Sequence, residues 1–117
     1  MGTSFTMYKE FGFWTRDSFL SRWLESLLEE MQKLPVREVW QESLIEHWRA
    51  QSKIDGGVMS LRLDEFLIND ERRDCIVSLS QRALQRNEGD AVRTGELFIA
   101  LLAGRLRTTA ASPIDYL

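Results

Sequence analysis

Between Asp17 and Lys33 the apolar residues Leu20, Trp23, Leu24, Leu27, Leu28 and Met31 recur at i, i+3, i+4, i+7, i+8 and i+11. That spacing places all six on one face of an α-helix, a stripe that must be buried against other elements. Thr15 or Asp17 stands where an N-cap is needed, and a helix over about 15–33 follows. Its other face carries Arg22, Glu25, Glu29 and Lys33, with Glu29 and Lys33 in the favourable i, i+4 order.

A chain of 117 residues has room for one core and no second domain, and it has one cysteine, Cys75, so no internal disulfide staples it. Single-domain organisation over 1–117 follows. The partners of the first helix are read from the rest of the pattern. Pro35 breaks the first helix and is tolerated in the first turn of a second, over about 35–53, which aligns Val36, Val39, Trp40, Leu44, His47 and Trp48. Ile54-Asp55-Gly56-Gly57 ends it. Residues 58–63 alternate partly, like a short extended piece without a partner strand, and Asp64 then caps a helical turn over 64–68.

Asn69 or Asp70 caps a third long helix to about Arg86, with Asp70 and Glu71 at its positive end and Arg82 and Arg86 near its negative end. Its stripe is Cys75, Ile76, Leu79 and Ala83. Thr94 is placed to cap a last helix over about 95–107, so rich in Leu, Ile and Phe that it is either the central helix or half of a dimer interface. The expected architecture is all-α: four main helices and one short extra turn. Residues 1–14, with five aromatics (Phe5, Tyr8, Phe11, Phe13 and Trp14), should lie across the core, and 108–117 should form a loosely ordered tail.

Several function classes are disfavoured. The longest apolar run is the seven residues Leu97–Ala103, against about 20 for a membrane span. The N-terminus lacks the basic and apolar regions of a signal peptide, so a cytoplasmic location is expected. Met1-Gly2-Thr3-Ser4-Phe5-Thr6 fits the myristoylation pattern, but Lys9 and Arg16 have Glu10 and Asp17 beside them and no second membrane signal accompanies it. The net charge is −3, and 1–53 and 54–117 hold similar mixtures of acids and bases, which leaves no basic stripe for nucleic acid.

No catalytic motif is present. One His and one Cys cannot supply four N/S ligands to a structural zinc, and residues 54–65 lack the carboxylates of a calcium loop. His47 lies on an apolar face, where an imidazole packed at the core edge and donating to a carbonyl is the expected role. No cofactor is expected.

Glu38, Glu42 and Glu46 recur every four residues on the second helix, a solvated face or an acidic docking surface for a basic partner. Ile45 is placed beside them toward water, and Trp14 and Trp48 stand nearest the edges of their stripes, the positions from which a ring reaches a partner. The expected function is a non-enzymatic acidic helical protein that binds another protein, as an adaptor, inhibitor or immunity-type module. The partner-binding residues are Trp14, Glu38, Glu42, Ile45, Glu46 and Trp48. A structural homodimer and a small-ligand binder or enzyme using His47 are the alternatives.

Overall fold

The computed structural model describes residues 3–53 and 59–109. The turn at 54–57, the myristoylation acceptor Gly2 and the greater part of the expected tail, 110–117, lie outside them. The described chain is mostly helical, but it opens on two antiparallel strands, so the all-α expectation is corrected. Strand β1 (Thr3–Tyr8) and strand β2 (Phe11–Arg16) pair from Thr3↔Arg16 to Tyr8↔Phe11. Lys9 and Glu10 form the two-residue turn, both with positive φ (50° and 77°), as the right-handed twist of a tight hairpin requires.

The hairpin has an inverted pattern. Ser4, Thr6, Tyr8, Phe13 and Thr15 are buried, while Phe5 and Trp14 are half-buried on the other face, their rings 5.1 Å apart. Phe5 also lies over Gly12, where a Cβ would stand 2.9 Å from its ring. The outer edge of β2 is engaged as well, since the Gly12 N–H donates to Thr108 O at 2.9 Å and the Thr108 hydroxyl donates to Gly12 O. Thr108 is thereby tied to the hairpin.

Helix α1 (Asp17–Gln32) follows at once, and all six residues of its stripe are buried. Each such side chain contributes about 1.5–3 kcal/mol relative to exposure. Neither expected cap is used: Arg16 is the N-cap, Thr15 belongs to β2, and Asp17 accepts from the Ser4 hydroxyl at 2.6 Å. Helix α2 (Val39–Gln51) begins four residues later than Pro35 implied and buries Gln41, Leu44, Ile45 and Trp48. Val36 and Val39, expected on the inner face, are 81% and 84% exposed.

Residues 59–62 run to the one-turn helix α3 (Leu63–Phe66) and are held by α2 side chains. Trp48 Nε1 donates to Leu61 O at 2.8 Å, His47 Nε2 lies 2.7 Å from Ser60 O, and the Ser60 N–H donates to Gln51 Oε1. A carbonyl only accepts, so Nε2 is the protonated nitrogen of His47. The Met59 N–H donates to Ser4 Oγ and the Lys9 N–H to Asp64 Oδ1, which pins the same segment beside β1.

Helix α4 (Asp70–Gln85) is capped by Asn69, whose side chain accepts from the Arg72 N–H at 2.8 Å. Helix α5 (Asp90–Leu102) starts earlier than expected, and Thr94 is an interior residue whose hydroxyl donates to Asp90 O. Helix α5 packs on α1, α4 and both strands, so its apolar surface is buried within the protomer. At the far end of α1, Arg86 pairs with Glu29 at 3.0 Å and with the buried Glu30 at 3.1 Å, and Lys33 joins Glu30 rather than the expected Glu29.

The core closes around Phe98, 5.9 Å from the Trp23 ring and 6.2 Å from the Trp48 ring. Gly95 makes this approach possible: a Cβ there would stand 2.5 Å from Trp23 Cζ3, and Trp23 is fully buried and has nowhere to move. Gly95→Ala should therefore destabilise the protein by about 1–3 kcal/mol despite the better helix propensity of alanine. Urea unfolding measures this directly, and a stabilised variant would contradict the close packing.

Candidate protein-docking groove

The N-terminal ends of α2 and α4 flank a groove of about 740 Å³. Its shape follows from how the two helices start. Leu34–Glu38 is irregular, and Glu38 is the N-cap of α2, its N–H donating to Gln41 Oε1 at 2.7 Å as in a capping box. Gln41 then points inward and its Nε2 donates to Cys75 Sγ at 3.5 Å, bridging α2 to α4. The chain before the cap is left outside, with Val36 and Val39 forming an apolar shoulder of the groove.

Trp40 and Arg72 line it. The Arg72 guanidinium lies 5.0 Å from the centroid of the Trp40 ring and donates to Phe66 O, while Trp40 Nε1 donates to Glu38 Oε2. A half-buried Trp braced by a carboxylate and a guanidinium is a rigid platform of the kind that anchors interfaces. Glu38, Glu71 and Arg72 give the lining a surplus of one carboxylate.

The six partner-binding residues expected from sequence separate. Glu38, Glu42 and Glu46 are exposed on α2, with Glu42 paired to Arg37. Glu46 has no ion-pair partner among the described residues. Trp14 is half-buried on the hairpin, its ring tilted against that of Phe5, and lines no part of the groove. Ile45 and Trp48 are corrected: 5% and 0% exposed, both are core residues, and Trp48 has its indole N–H on Leu61 O. The phase of α2 explains this, because Val36 lies outside the helix and Val39 on its outer face. Reading them as inner residues rotated the expected stripe.

Sequence reasoning missed Val36, Val39, Trp40 and Arg72 as site residues. One signal was available: Glu38 and Gln41 stand at capping-box spacing, which places Val36 before the helix and Val39 in its first turn.

The groove is bordered by apolar, charged and amide side chains and by one thiol. Burial pushes the Cys75 thiol above its usual range, the nearby Glu38 and Glu71 act in the same direction, and the Gln41 hydrogen bond opposes them. No group of three or more His, Cys, Asp or Glu among the described residues could hold a metal ion. No helix among them is long and apolar enough to cross a membrane. No family model matches this chain, and neither a curated protein nor a solved structure matches it.

A thiol with a raised pKa is protonated at neutral pH and becomes reactive only as pH rises. Iodoacetamide should alkylate Cys75 in the folded protein more slowly than in urea at the same pH, with the folded-state rate climbing at pH values above the ordinary thiol range. Equal rates in the two states near pH 8 would show that burial does not hold the proton.

Proposed function

We propose that this protein is a non-enzymatic module that binds another protein, as an adaptor, inhibitor or immunity-type protein does, and that it works in the cytoplasm. The observation that carries this reading is the exposure of Val36 and Val39, 81% and 84%, side by side at the Trp40–Arg72 platform; Ile68 and Met7, also exposed, do not line this groove. An exposed apolar pair against a rigid aromatic platform is the makeup of an interface centre. The acids Glu42 and Glu46 extend from it along the outer face of α2 and suit a basic partner by charge complementarity.

The reading without catalysis is supported by what the usual catalytic side chains are doing. His47, the only histidine, is hydrogen-bonded to Ser60 O with its ring tilted against that of Phe66 at 5.9 Å, and burial favours the protonated Cys75 thiol. A homodimer through α5 finds less support, because the face it would use already packs on α1, α4 and the hairpin.

Two double variants test the proposal: Val36→Asp with Val39→Asp, and Glu42→Lys with Glu46→Lys. All four side chains are exposed, so each pair should change stability by no more than about 1 kcal/mol. The immobilised wild-type protein should retain one defined partner from its native extract in stoichiometric amount, and both variants should lose it. Undiminished retention by both variants, or no retained protein with the wild type, would overturn this function.

A further inference from the structure

A second cavity, about 170 Å³, lies between the hairpin turn and the C-terminal end of α5, and its lining is electrostatically unlike the groove. Three cations border it, Lys9, Arg73 and Arg107, and no carboxylate among the described residues does, in a chain whose net charge is −3. The apolar part of the lining includes the buried Leu101 and Leu102, with Phe11 and Leu106 partly buried beside them.

The three cations differ in what holds them. Arg73 is shared by Asp70 at 3.2 Å and Asp74 at 3.1 Å, both outside the lining. Lys9 and Arg107 have no ion-pair partner among the described residues: the Lys9 ammonium sits 5.2 Å from the Tyr8 ring centroid and the Arg107 guanidinium 5.7 Å from that of Phe11. Two charges poised on aromatic faces at the edge of an apolar cavity are positioned for a counter-ion.

The ordinary explanation for cations here is compensation of the negative helix end. The backbone already does part of that work: Gly104, with φ of 78°, lets its N–H reach Leu101 O and lets the Arg105 N–H reach Ala100 O. Arg107 lies on Phe11 rather than on those carbonyls.

We propose that this cavity binds a small organic monocarboxylate, with an aromatic or short aliphatic body against Leu101, Leu102 and Leu106 and its carboxylate between Lys9 and Arg107. The size is suitable, since an apolar cavity of about 150 Å³ accommodates benzene. The inference is independent of the protein-docking reading, because no residue lines both sites.

The test is an amide NMR titration of the intact protein with three probes: benzoate, benzyl alcohol as the same body without charge, and acetate as the charge without the body. Benzoate should give saturable shifts at Phe11, Gly104 and Leu106, at a concentration at least about tenfold below that needed with either control. Lys9→Gln with Arg107→Gln should weaken benzoate at least about tenfold, leave benzyl alcohol unchanged and retain the wild-type melting profile. Benzyl alcohol or acetate matching benzoate, shifts centred elsewhere, no saturation, or full benzoate affinity in the double variant would each overturn the site.

Discussion

The placement of Phe98 between Trp23 and Trp48 is the contact on which the rest of the architecture depends. It joins α5, α1 and α2 through three rings that are fully buried, and rings of this size dominate the energy of a small core. Two further features depend on it. Helix α5 approaches α1 because Gly95 presents no side chain to Trp23, and the chain at Leu61 is held because Trp48, fixed by the ring contact, aims its indole N–H at that carbonyl. Trp23 does not share this arrangement, since its own indole N–H has no partner among the described residues. That deficit costs about 1–3 kcal/mol, which the packing around it must exceed.

With α1 and α5 enclosed, the surface left to function belongs to element ends. The fold separates charge there in a way that the even distribution along the chain does not suggest. Among the described residues, the groove at the starts of α2 and α4 is bordered by two carboxylates and one guanidinium, whereas the cavity at the end of α5 is bordered by three cations and no acid. Helix termination accounts for the acidic side only. The α4 start places Glu71 at the groove, where the helix dipole favours acids, while the cations of the cavity come from three elements: Lys9 from the hairpin turn, Arg73 from α4 and Arg107 from the chain after α5. The contrast in charge between the two places thus grows out of which element ends meet there.

The sequence showed α1 and α4 well because their patterns arise from one cause, a single apolar face of regular period, and Asn69 is a strong cap. It showed α2 poorly because two valines outside the buried face outweighed the weaker signal of a Glu N-cap. For α5, Thr94 is a cap residue by type, yet the helix begins at Asp90 and Thr94 donates to Asp90 O from inside it, while Gly95 serves to admit Trp23. Of the expected docking residues, the glutamates proved exposed because a charged i, i+4 column has only one comfortable side. Ile45 and Trp48 depended on the helix phase: Ile45 lies on the inner side rather than toward water, and Trp48 lies fully inside the stripe rather than at its edge.

The hairpin was illegible for a different reason. Strands are recognised by apolar residues turned inward, and β1 turns Ser4 and Thr6 inward while Phe5 and Met7 face out. A slip of one residue would reverse every side chain and bury Phe5 and Met7, which hydrophobicity alone would favour. The native register is held instead by directional bonds. The Ser4 hydroxyl donates to Asp17 and accepts from the Met59 N–H, joining strand, helix and the chain after α2 at one atom. Gly12 is fixed to Thr108 across the other edge, and its missing side chain leaves room for the Phe5 ring close beside it. The inward Thr6 and Thr15 hydroxyls, which have no partner among the described residues, are the cost of this arrangement. Polar bonds to three different elements outweigh that cost, and such bonds leave no periodic trace in a sequence because their partners stand up to about a hundred positions away.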